Sequence, residues 1–244
     1  MRKFGLIGKS LSHSFSPGYF KEKFKREHIL GAEYRLYELD RIDQIKHLFE
    51  IPVSGLNVTI PYKDTVIPWL DILSDEARDI GAVNTIKYCK GKWVGYNTDA
   101  YGFESSLLPH LDSLSPRKAL ILGTGGASKA VAYVLNKLNI AFRFVSRKGN
   151  VLQYDELDRQ ILRQASLIVN TTPLGMYPHE GEKPAIPYEF INEQHLFFDL
   201  IYNPEKTLFL IEGEARHARI QNGRKMLEFQ AERAWQIWND DICY

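Results

Sequence analysis

The sequence predicts an α/β protein of two domains, and three observations carry that reading. Apolar runs alternate with amphipathic helical patterns along nearly the whole chain, as they do where helices cover mainly parallel sheets. At 244 residues the chain exceeds the roughly 100 to 150 residues usual for one domain. Residues 109–117, with two prolines and few apolar side chains, interrupt the pattern before it restarts. The expected division is a mainly parallel α/β domain over residues 1–102, completed by a C-terminal helix over 223–244, and a second α/β domain over 103–222.

The elements come in order along the chain. Residues 3–7 read as a strand. Ser16-Pro17 reads as an N-cap followed by proline at the first helical position, opening a helix to about residue 27. A strand is expected over 34–39, and Ile42, Ile45, Leu48 and Phe49 mark one face of a short helix. The next strand, 56–60, is ended by Pro61. Residues 83–88 and 92–96 flank Cys89-Lys90-Gly91, which predicts an antiparallel hairpin at a sheet edge. A helix starts at Asp99. Beyond the boundary come a strand over 119–122, a helix over 126–138 and a strand over 141–145, with further strands over 167–169 and 196–200. An aromatic-rich helix over 226–238 is expected to fold back on the first half.

Composition narrows the function classes. Lysine and arginine number 31 against 30 aspartate and glutamate, so the basic bias of a nucleic-acid groove is missing. Lys21, Lys23, Lys25 and Arg26 alternate with Phe20 and Phe24, as on the wet face of an amphipathic helix. Cys89 and Cys243 are far apart and show no metal-ligand spacing, which supports neither a disulfide framework nor a metal site. No apolar run reaches the roughly 18 residues of a membrane span, and the N-terminus has no signal-peptide pattern. A cytoplasmic protein without a membrane or nucleic-acid partner is expected; a monomer and a homodimer both stay open.

Gly123-Thr124-Gly125-Gly126-Ala127-Ser128 follows a strand and opens a helix. There the first glycine permits a tight turn, the second lets a pyrophosphate approach, and the helix N-terminus offers unpaired N–H groups. Ser128 departs from the G-x-G-x-x-G pattern, and an ordinary βα turn is the bland alternative. About twenty residues on, where an NAD site usually carries an acid, the strand ends Val145-Ser146-Arg147-Lys148. Arg147 suits bidentate contact with a 2′-phosphate and Lys148 adds charge, which favours NADP over solvated loop charges.

Four polar clusters fall near strand ends in the first half: Ser12 to Pro17, Asn57 to Lys63, Gly81 to Thr85, and Tyr96 to Ala100. Each has a plain reading alone. Ser16 caps a helix, Asn57 and Thr59 satisfy backbone groups, Lys63 is a surface lysine, Asp99 caps the helix it begins, and His13 is a loop residue rather than an acid or base.

At these spacings the clusters together resemble the shikimate dehydrogenase family. The resemblance rests on S-x-S-P (Ser14, Ser16, Pro17), N-V-T-x-P-x-K (Asn57 to Lys63), G-A-V-N-T (Gly81 to Thr85) and N-T-D (Asn97 to Asp99). It continues through G-x-G-G-A-S (Gly123 to Ser128), N-T-T-P-x-G-M (Asn170 to Met176), D-x-x-Y-x-P (Asp199 to Pro204) and N-G-x-x-M-L-x-x-Q (Asn222 to Gln230). It implies that the second domain is a Rossmann-type NADP-binding domain, and that the enzyme reduces 3-dehydroshikimate to shikimate on the way to aromatic amino acids. It implies that Ser14 and Ser16 bind the substrate carboxylate, that Asn57, Thr59, Asn84 and Gln230 hold its hydroxyls with Tyr202 nearby, and that Lys63 and Asp99 are the catalytic pair. Gly123, Gly125, Gly126 and Ala127 would face the pyrophosphate, and Ser146, Arg147 and Lys148 the adenosine phosphate. Asn170, Thr171 and Met176 would lie along the cofactor, with Gly223 beside it. The resemblance leaves two rivals: a quinate/shikimate dehydrogenase preferring NAD, and a dinucleotide-binding module without catalysis.

Overall fold

The computed structural model describes residues 1–12 and 14–242. His13, Cys243 and Tyr244, and with them the reading of His13 as a loop residue, lie outside the described residues. Cys89 itself is not a free thiol. The chain divides into two compact units, one formed by residues 1–102 and 227–244, the other by 103–226.

The first unit is built on a six-stranded sheet. Its strands are β1 (Arg2–Gly8), β2 (Ala32–Glu38), β3 (Gly55–Val58), β4 (Ile72–Leu73), β5 (Thr85–Cys89) and β6 (Lys92–Tyr96), in the order β2-β1-β3-β5-β6-β4. β1 runs parallel to β2 and β3, while β5 and β6 form the expected antiparallel hairpin. The hairpin is not at the edge, because the two-residue strand β4 pairs with β6 outside it. On one face Ile7, Leu56, Val58, Ile86 and Trp93 pack over Ile45 and Leu48 of helix α2 (Ile45–Phe49).

Helix α1 (Phe15–Arg26) begins with Ser14, not Ser16, as its N-cap, and the Ser14 side chain makes no capping bond. Pro17 then stands third in the helix, where the missing N–H still falls among those without an intrahelical partner, so proline does not force the later start. Lys23 is a second departure from expectation. It is 3% exposed rather than solvated, because α1 packs beside the C-terminal helix and the Lys23 ammonium bridges Glu27 at 2.9 Å and Glu232 at 2.7 Å.

Phe4 and Phe20 pack against Ala231, Ala234 and Trp238 of that C-terminal helix. The Trp238 indole donates to the Ile86 carbonyl, and a Cβ at Gly55 would meet the Trp238 ring at 2.2 Å, which is why β3 opens with glycine. Helix α3 (Asp75–Ile80) is capped by Ser74, and helix α4 (Asp99–Leu107) leads away from the end of β6.

The second unit is a five-stranded, wholly parallel sheet of β7 (Lys118–Leu122), β8 (Ala141–Val145), β9 (Leu167–Asn170), β10 (Leu196–Asp199) and β11 (Arg219–Gln221), ordered β11-β10-β9-β7-β8. The chain leaves β7 for β8 on one side and returns to β9 on the other. The order therefore reverses between β7 and β9, where an open α/β sheet leaves a crevice beyond its carboxyl ends. Helices α5 (Gly126–Lys137), α6 (Arg159–Arg163), α7 (Leu208–Glu214) and α8 (Arg224–Asn239) complete the chain. The core of this unit joins Leu120, Leu122, Ile168 and Phe197 of the sheet to Leu162, Phe209 and Leu210 of the helices.

Candidate active site and its cofactor turn

In the first unit the polar residues gather where β3 and β6 end and β5 begins. Lys63 lies in the turn after β3, held by a bond from the Val83 amide to the Lys63 carbonyl. Its ammonium donates to Asp99 Oδ2 at 2.6 Å. The lysine side chain is 17% exposed and the aspartate side chain 5%, so water screens this ion pair only partly. The plain reading of Asp99 as a helix cap fails. Asn97 Oδ1 accepts from the Ala100 amide and does the capping, which frees the Asp99 carboxylate for Lys63.

Beside the pair runs a chain of amides and hydroxyls. The Asn57 amide nitrogen donates to the Asn84 carbonyl at 3.3 Å and to Thr85 Oγ1 at 3.1 Å. Asn84 Oδ1 accepts from the Thr98 amide at 2.7 Å, which fixes the Asn84 amide so that its nitrogen donates to Gln230 Oε1 at 3.1 Å. Thr85 and Thr98 share a hydroxyl–hydroxyl contact and both lie near Asn84 Oδ1. Neither threonine is among the site residues expected from sequence, although both belong to the motifs that carry the resemblance. The Thr59 amide donates to the Ile7 carbonyl at the same sheet end. Ser14 and Ser16 stand at the start of α1.

In the second unit Gly123 has φ +107°, open to glycine at no steric cost, and a Cβ there would meet Thr171 Oγ1 at 2.8 Å. Thr171 donates from both its amide and its hydroxyl to the Leu122 carbonyl, pinning the β9 turn to the β7 turn at the reversal of strand order. Gly125 differs. Its φ of −80° suits any residue, and no protein atom lies within 4 Å of where its Cβ would stand. Fold geometry does not demand glycine there; its effect is to leave the backbone at the head of a twelve-residue helix bare, which fits a pyrophosphate over Gly126 and Ala127. Ser128 donates its hydroxyl to the Gly125 carbonyl at 2.6 Å, so the departure from the glycine pattern tightens the same turn.

Ser146, Arg147 and Lys148 follow β8, the two basic residues exposed and Ser146 Oγ accepting from the Lys148 amide. Asn170, expected along the cofactor, is engaged within the protein. It is 0% exposed, its nitrogen donates to Asp199 Oδ1 and the Leu174 carbonyl, and its oxygen accepts from Thr172. Gly223 likewise has a packing reason, since a Cβ would lie 2.1 Å from the Leu200 carbonyl oxygen. Met176, by contrast, is 39% exposed on the loop after β9. Tyr202 lies beyond β10, where burial pushes its phenol up.

Residues 6–86 match the family model described as the shikimate dehydrogenase substrate binding domain. A shikimate dehydrogenase (NADP(+)) of Clostridium beijerinckii is 41% identical over 255 aligned positions, covering 98% of this chain and 93% of the relative. The chain belongs to the shikimate dehydrogenase family. The crystal structure of the Thermus thermophilus shikimate 5-dehydrogenase with NADP(H) and shikimate matches at a TM-score of 0.85 and 30% identity, covering 98% and 94% of the two chains. A quinate dehydrogenase of Corynebacterium glutamicum with NAD matches at 0.86 and 25% identity over 98% and 93%. Both the two-unit α/β architecture and the family's oxidoreductase character therefore hold for this chain.

Among the described residues no group of three His, Cys, Asp or Glu side chains is placed to hold a metal, and no helix is long and apolar enough to cross a membrane.

Proposed function

We propose that the chain catalyses the reversible, NADPH-dependent reduction of 3-dehydroshikimate to shikimate, a step towards aromatic amino acids, in the cytoplasm. The observation that carries this reading is the Lys63–Asp99 pair at 2.6 Å, set beside the Asn57–Asn84–Gln230 chain. When bound, the reduced nicotinamide supplies a hydride. Lys63 stabilises the alkoxide that develops on the ketone oxygen and passes it a proton, while Asp99 keeps the ammonium aimed. In oxidation Lys63 accepts the hydroxyl proton instead. Ser14 and Ser16 bind the carboxylate, Asn57, Thr59, Asn84 and Gln230 the hydroxyls. Residues 1–102 with the C-terminal helix form the substrate domain and residues 103–222 the cofactor domain, whose Gly123 turn takes the pyrophosphate and whose Arg147 reads the 2′-phosphate.

An absorbance assay with shikimate and quinate, each against NADP and NAD, tests the reading directly. Shikimate with NADP is expected to be fastest, and comparable kcat/KM with NAD or quinate would overturn the assignment. Arg147→Ala should raise KM for NADP about tenfold or more, since a charge-assisted contact is lost, and leave KM for NAD nearly unchanged. Equal effects on both cofactors would remove Arg147 from phosphate recognition.

A further inference from the structure

The hydroxyl of Tyr34, on β2, reaches an amide that the proposed mechanism uses to hold the substrate: it donates to Asn57 Oδ1 on β3 at 2.8 Å. The remaining polar atoms of the amide chain are engaged within that chain: Asn57 spends both its N–H groups on Asn84 and Thr85, and Asn84 spends its oxygen on Thr98 and Thr85. The Tyr34 ring is itself held, stacked on Phe20 at a centroid distance of 4.5 Å and 15° and lying near Trp238.

We propose that Tyr34 is a positioning residue that sets the orientation and hydrogen-bond direction of the hydroxyl-binding amide of Asn57. This role rests on the substrate contact proposed above for Asn57. The phenol has one proton, and at 2.8 Å it goes to Asn57 Oδ1. That leaves one lone pair on this oxygen for a substrate hydroxyl. Burial pushes the phenol well above its ordinary range, so it stays a donor throughout the working pH of the enzyme. With both N–H groups spent on Asn84 and Thr85 and one lone pair held by the phenol, the Asn57 amide has one orientation, and a small turn of it would misdirect the contact to a substrate hydroxyl.

Tyr34→Phe keeps the ring and removes the hydrogen bond to Asn57. The expected result is a roughly three- to tenfold rise, about the worth of one or two hydrogen bonds, in KM for shikimate, with KM for NADP unchanged and kcat within about twofold. The midpoint of thermal unfolding should stay within about 4 °C of the parent, because the stacking on Phe20 remains. Asn57→Ala supplies the cycle. If Tyr34 acts through Asn57, the phenylalanine substitution should have little further effect on KM in the Asn57→Ala background. An equal penalty in both backgrounds, an unchanged KM in the single variant, or a fall in thermal midpoint beyond that margin would each overturn the proposal. Asn57→Ala leaving KM for shikimate unchanged would instead overturn the substrate contact on which it rests.

Discussion

Lys63→Ala is expected to lower kcat by about 10² to 10⁴, the usual worth of a positioned acid or base, with KM for NADP little changed. The size comes from what the ammonium does in both directions and from its setting. With the lysine side chain 17% exposed and Asp99 at 5%, water is poorly placed to take over either the proton or the charge. Truncation also leaves a buried carboxylate without its partner, so some loss of stability should accompany the loss of rate. Lys63→Arg separates the two effects. A guanidinium can keep the ion pair but does not give up a proton in a protein, so stability should recover while kcat stays low. Turnover near the parent value in Lys63→Ala would take Lys63 out of the mechanism.

The second large effect is on folding. Asp199 is 0% exposed and accepts from Thr207 Oγ1, the Ile201 amide and the Asn170 amide nitrogen, all of them neutral donors. Burial outweighs these bonds and pushes its carboxyl from an ordinary 3.8 up to about 7. A folded pKa above the unfolded one favours the native state where the group is protonated. The contribution is complete below pH 3.8 and is lost as pH rises through about 7. It amounts to on the order of 4 kcal/mol across that window. Asp199→Asn removes the titration while keeping an acceptor for the Ile201 amide. Urea unfolding at intervals from about pH 4.5 to 8 should show the parent losing stability relative to the asparagine variant as pH rises. Parallel curves for the two proteins would refute the shift.

Much of the fold is legible in the sequence alone. The βαβ unit at 118–145 shows itself through a five-residue, largely apolar strand, a glycine turn and a twelve-residue amphipathic helix, all strong local signals. The elements that sequence reasoning misses are short. β4 has two residues, α3 six and β11 three, too few for a period to show. In the site, the motifs single out Lys63 and Asp99 together, but neither spacing nor composition shows that Asn97 takes over the capping. Lys23 illustrates the same limit: its burial depends on Glu232, 209 positions away in the chain. Asn170 and Gly223 read towards the cofactor in the sequence, whereas their neighbours give them work in shaping the loop and in letting Leu200 approach. Asp199 is visible there only as part of a motif, and nothing in the sequence states that its carboxyl is sealed from water.

The discontinuity of the first unit has a consequence for synthesis. By the time residues 1–102 have left the ribosome, Phe4 and Phe20 still lack Ala231, Ala234 and Trp238, which are made more than a hundred residues later. The second unit, by contrast, acquires all five of its strands as one uninterrupted stretch. The nascent chain therefore holds an aromatic face open while the later unit closes, and the last helix completes the older sheet rather than the newer one.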